Sequence, residues 1–96
     1  MHIAKIKWYI PLKVEGNPCR PEENFSMPVF FKDKNGQWMK NAWSVVLNKI
    51  NHDFENSETI SEIKFLFPEA PANLLMKDSK FMFFLKEVIA EGEVIS

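Results

Sequence analysis

The stretch VEGNPCRPEENFSMPVFF, Val14 to Phe31, packs three prolines, one glycine and the chain's only cysteine into a short span. Proline fixes φ near −65° and pushes the residue before it toward extended backbone. Such a span reads as a connection that sets how the chain approaches a strand. Upstream, Ile6, Trp8, Ile10 and Leu12 fall on one side at period two, and Lys5, Lys7, Tyr9 and Lys13 on the other. That alternation describes a strand with one face buried and one in water. Pro11 has no N–H for a ladder, so the end of this strand reads as an edge. Downstream, Met27–Lys32 reads as a second strand, and Asp33-Lys34-Asn35-Gly36 as the hairpin turn that follows it.

Further along, pattern alone leaves two states open. In QWMKNAWSVVL, Trp43, Val45 and Leu47 alternate as in a strand, while Met39, Ala42, Trp43, Val46 and Ile50 follow helical spacing. Ile63, Phe65 and Phe67 alternate with Glu62, Lys64 and Leu66 until Pro68 closes the run. Near the C-terminus, Phe81, Phe83 and Leu85 suit a strand. Phe81, Phe84, Leu85, Val88 and Ile89 equally suit a helix capped by Ser79 and stopped by Gly92. An all-β fold and an α+β fold with a C-terminal helix both fit. Asn51–Thr59, NHDFENSET, is the most polar stretch and reads as a loop.

At 96 residues the chain is expected to form one domain, residues 1–96, burying roughly 60–65% of its unfolded surface. Twelve basic residues stand against thirteen acidic ones, a formal charge of −1, without the basic excess of a dedicated nucleic-acid binder. The single cysteine, Cys19, forms no internal disulfide, which suits a reducing compartment. The opening MHIAKIKWYI carries lysines where a signal peptide needs an apolar core. No apolar run reaches the ~20 residues of a spanning helix. The expectation is a cytoplasmic protein that does not engage a membrane.

Glu15-Gly16, Pro21, Pro28, Phe30 and Phe31 stand in the order and spacing of one known family. Phe83, Lys86, Glu87, Ala90, Gly92 and Val94 fit that family's last hairpin, and KFLFPEAP fits the strand and proline before it. On these residues the chain resembles the C-terminal β-barrel domain of elongation factor Tu and related translation factors. The resemblance spans nearly the whole chain. It implies a closed six-stranded antiparallel barrel with Greek-key connections, with strands in the third segment and in both segments after Pro71. It departs from the family at Asn17 and Pro18, where the family has a doubled glycine and an arginine. It departs again at Lys86-Glu87-Val88, a shortened version of the glycine-rich last hairpin. In the full-length factor this domain helps hold aminoacyl-tRNA, and the missing loop residues argue that this role is not simply inherited.

No G-x-x-x-x-G-K-[ST] loop occurs among the three glycines of these 96 residues, so no GTP binding is expected. Asn48-Lys49-Ile50-Asn51 lacks the aspartate of a guanine-reading motif. His2, His52 and Cys19 are too dispersed for a metal site, and no cofactor is expected. His52-Asp53 is a neighbour pair with no nucleophile placed beside it by sequence, so the chain reads as no enzyme. Arg20 beside Cys19 could activate the thiol, although free cysteine is more commonly a buried small hydrophobe. Trp8 and Trp43 lie in phase with apolar residues and read as core. Trp38, just after the hairpin turn, reads as partly exposed and as a contact residue.

Lys5, Lys7 and Lys13 with Tyr9 form a basic stripe that could follow a phosphate backbone. Lysines on an exposed strand also discourage edge-to-edge pairing. The expectation is thus a free-standing, non-catalytic binding module for a protein partner, with structured RNA as a further candidate. Its candidate contacts are Lys5, Lys7, Tyr9, Lys13, Arg20, Trp38 and Lys86, and its candidate surfaces are Val14–Ser26 and the hairpin near Glu87. The alternative is a small cytoplasmic immunity or inhibitor protein.

Overall fold

Burying every second residue of each strand at once closes the sheet on itself. In the computed structural model, which describes residues 2–10 and 25–96, six strands form a closed antiparallel barrel. The strands are β1 (His2–Trp8), β2 (Phe25–Lys32), β3 (Trp38–Asp53), β4 (Glu58–Phe65), β5 (Lys80–Leu85) and β6 (Glu87–Val94). Around the barrel they run β1-β4-β3-β2-β5-β6, with β6 pairing back to β1. The described residues contain no α-helix, only a single 3₁₀ turn at Ala72–Leu74.

Ala4, Ile6 and Trp8 of β1, Val45 and Leu47 of β3, and Phe81 and Phe83 of β5 fill the lumen. A run of ring contacts crosses it. Phe65 meets Phe31 at 5.7 Å, Phe31 meets Phe81 at 5.9 Å, Phe81 meets Phe83 at 5.8 Å and Phe83 meets Trp8 at 5.4 Å. All these pairs are tilted or edge-on, the arrangement that aromatic quadrupoles favour. Room for Phe81 comes from Gly92 on the neighbouring strand. A Cβ there would stand 2.3 Å from Phe81 Cζ.

Both ambiguous segments are strands. In β3 the period-two set Val45 and Leu47 is buried, opposite Phe65 and Ile63 of β4, and Trp43 packs half-buried against the core. Adjacent β-branched Val45 and Val46 favour that outcome. The C-terminal helix of the α+β alternative does not form. Phe81 and Phe83 alternate inward, and Lys86 adopts φ 64° between β5 and β6, a left-handed conformation no right-handed helix can run through. Gly92 is not a helix stop but the floor beneath Phe81.

Other expectations need correction. Asn51–Thr59 is not a loop: β3 runs to Asp53 and β4 begins at Glu58. Asp53 accepts from the Asn56 backbone N–H at 3.2 Å and from Asn56 Nδ2 at 2.8 Å, tying the short turn between them. Phe67 and Leu85 are exposed rather than in phase with the core, because β4 ends at Phe65 and β5 turns at Lys86. β1 is flanked on both sides, by β4 and β6, so its lysines protect no edge. The turn after β2 forms as expected. Asp33 Oδ1 accepts from the Asn35 and Gln37 N–H groups, and Gly36 takes φ 78°.

Candidate functional site

With Ile6 and Trp8 turned into the lumen, Lys5, Lys7 and Tyr9 stand on the outer wall. The register sets glutamates beside them: Lys5 lies opposite Glu93, and Lys7 opposite Glu91 on β6 and Glu58 on β4. Lys5 Nζ reaches Glu58 Oε2 at 3.2 Å, and Lys7 Nζ donates to the Asn56 carbonyl at 3.1 Å. The Tyr9 hydroxyl donates to Glu91 Oε2 at 2.7 Å. That hydrogen bond, with smaller contributions from burial and the carboxylate charge, raises the phenol above its ordinary pKa. The stripe expected to be basic is therefore interleaved with carboxylates from two other strands.

These side chains border a cleft of ≈ 310 Å³ on the outer wall. Lys5, Lys7, Lys32 and Lys80 supply its cations, and Glu58, Glu91 and Glu93 its anions. Trp38 lies at one side, half-buried, with Lys32 Nζ 4.9 Å from its ring centroid. Cation–π contacts of this kind contribute about 0.5–1 kcal/mol at exposed sites. Phe81 and Gly92 complete the lining. Of the residues expected from sequence, Lys5, Lys7 and Trp38 meet here, and Tyr9 reaches the site through Glu91. Lys86 does not. It sits at the β5–β6 turn and lines no part of the cleft. Lys13, Cys19 and Arg20 lie outside the described residues, as does most of Val14–Ser26.

A second constellation escaped the sequence reading. Trp8 Nε1 donates to Thr59 Oγ1 at 2.8 Å, and His52 Nδ1 lies 2.7 Å from the same oxygen. His52 is thus on β3 and bonded to Thr59, not in a polar loop. A hydroxyl beside an imidazole is the geometry of an activated nucleophile. Here the hydroxyl is sealed: Thr59 is 0% exposed and already accepts the indole proton. Residues 8 and 59 meet only once β1 pairs with β4, so no local motif announces them. Among the described residues, no three His, Cys, Asp or Glu side chains converge as metal ligands. The chain matches no protein-family model, no curated protein and no solved structure.

Proposed function

We propose that the chain is a translation-factor-like Greek-key barrel that works as a non-catalytic binding module, gripping a protein partner at the cleft beside Trp38. The Greek-key reading is supported by connectivity. Strands β2, β3 and β4 follow one another as hairpins, and β1 returns by a long connection to lie beside β4. The functional reading is carried by one observation: a half-buried tryptophan beside a cleft in which four lysines face three glutamates. A groove that tracks RNA needs a large excess of cations to release counterions, and four lysines against three glutamates leave an excess of one. Alternating charges around an aromatic anchor suit a protein surface with its own complementary pattern. The one hydroxyl–imidazole pair described above is closed to substrate, which supports a binding role over catalysis.

The test is affinity capture from native lysate, comparing the parent chain with Trp38→Ser and Lys7→Glu. A protein retained by the parent and lost with both variants is the expected result. Retention of the same proteins by all three chains would remove the cleft from consideration. Captured RNA, released steeply as salt rises, would replace the protein reading with the RNA one.

A further inference from the structure

The charged cleft reaches onto β2, β3 and β5 at Lys32, Trp38, Lys80 and Phe81; the rest of the wall formed by those strands is different. Met27, Val29 and Phe31 point inward, so Pro28 and Phe30 face out from β2. Phe81 and Phe83 point inward, so Met82 and Phe84 face out from β5. The registers set Met82 beside Phe30 and Phe30 beside Ala42, forming one apolar row across three strands. Phe84 on β5 and Pro28 on β2 follow two residues along their strands. The Phe30 and Phe84 rings meet edge-on, 6.4 Å apart at 87°. Phe84 remains 45% exposed, so this contact does not take it out of water.

The charges on this wall are segregated. Two residues from each member of the row, on the same face, stand Lys80, Lys32 and Lys40. Lys64, opposite Val46, borders the far side. Apart from Asp53 at the tip of β3, strands β2, β3 and β5 carry no carboxylate. β6 carries three carboxylates, and Glu87 stands opposite Leu85 at the turn from β5. Glu91, opposite Met82, accepts from Tyr9, and Glu93 lies between Lys5 and Lys80. A solubilised surface would mix signs here, whereas an apolar row bordered by lysines marks a binding face. Of its large apolar side chains Phe84 is well exposed while Phe30 and Met82 are half-buried, too small a patch for the ~800 Å² per partner of a stable globular interface. That size suits a short segment better than a second copy of the chain.

We propose that this wall docks an acidic amphipathic segment of a partner protein, its apolar side chains over Phe30, Met82 and Phe84 and its carboxylates toward Lys40, Lys64 and Lys80. The surface meets the cleft at Lys32 and Lys80, but Phe30, Met82 and Phe84 lie outside the cleft lining, so either assignment can fail without the other. The probe is a fluorescent peptide of about 15 residues with leucine and phenylalanine on one helical face and glutamate on the other. One companion peptide replaces the glutamates by lysines, and another replaces the apolar residues by serines. Anisotropy titrations should show the acidic amphipathic form binding at least about tenfold more tightly than either companion.

Phe84→Ser should weaken that binding about tenfold, and so should the double change Lys40→Glu with Lys64→Glu, with melting by circular dichroism confirming that each variant is folded. Lys7→Glu, on the cleft's far side on β1, should leave it within about twofold. Equal binding of the acidic and basic peptides would overturn the proposal, as would no binding of the acidic peptide at about 1 mM. So would tighter binding of oligouridylate or of phosphatidylserine vesicles, or a dimer that Phe84→Ser dissolves.

Discussion

Replacing Gly92 by alanine tests whether the lumen is packed as described. The new Cβ would stand 2.3 Å from Phe81 Cζ, 2.5 Å from Cε2 and 3.0 Å from Cε1. Carbon–carbon contacts are comfortable at about 3.5–4.0 Å, so the ring must move by roughly 1 Å or more. It has little room. Phe81 is fully buried and already touches the rings of Phe31 and Phe83. Forcing extra volume into a filled core costs about 1–3 kcal/mol, and a displacement shared by three rings belongs at the upper end. A domain of this size loses about 4–8 °C of Tm per kcal/mol, so Gly92→Ala should melt roughly 10–20 °C lower.

The matching experiment is a cycle with Phe81→Leu, which removes the ring that clashes. Alone, Phe81→Leu is destabilising because it leaves a cavity. Combined with Gly92→Ala, the new methyl enters space the ring has vacated. The double variant should be more stable than the sum of the singles by at least about 1 kcal/mol. Urea unfolding followed by circular dichroism measures all four chains, with unchanged slope showing that only stability has moved. If Gly92→Ala melts within about 2 °C of the parent, or the two changes add without coupling, the ring does not occupy the space above Gly92.

Thr59→Val keeps the shape but removes the hydroxyl that accepts from Trp8 and bonds His52; urea unfolding should show a loss of about 1–3 kcal/mol. A loss under about 0.5 kcal/mol would mean the buried bond contributes little. Asp53 is held below the ordinary carboxylate pKa by Asn56, first through its side chain and then through its backbone. Because the folded value is depressed, the turn's contribution is present above the unfolded pKa and is lost as pH falls through the folded one. The Asn56 side-chain amide signals should therefore titrate with a midpoint below about 3.9, and Asp53→Ala should abolish the titration. A midpoint at or above that value would contradict the hydrogen-bonded turn.

Much of the fold was legible because strands advertise themselves by period, and the first strand, the Asn-Gly hairpin and Ile63–Phe65 all did. The helix-or-strand ambiguity at Trp38–Ile50 and Phe81–Ile89 could not be settled locally. What settles it is partnership: Phe81 and Phe83 gain their burial from Gly92 across the β5–β6 hairpin and from Phe31 and Trp8 far upstream in the chain. The polar stretch Asn51–Thr59 misled for the related reason that a barrel's outer wall is meant to be polar. A hairpin with water on one face looks like a loop until its buried member, Thr59, is seen facing Trp8.

The candidate site shows the same limit in its charges. Lys5 and Lys7 were visible as a stripe, but Glu58, Glu91 and Glu93 reach them only through pairing with β4 and β6. Closure thus converts a stripe that reads as basic into a cleft of mixed charge, four lysines against three glutamates. It simultaneously leaves Lys32, Lys40, Lys64 and Lys80 around an apolar wall with few carboxylates near. A formal charge of −1 describes neither surface. Steering and partner choice depend on how charge is distributed over faces, not on its sum. Two faces with different charge arrangements on one small barrel are therefore more than a neutral solubilising shell requires. They lie side by side as two chemically distinct surfaces, with Lys32 and Lys80 on the boundary between them.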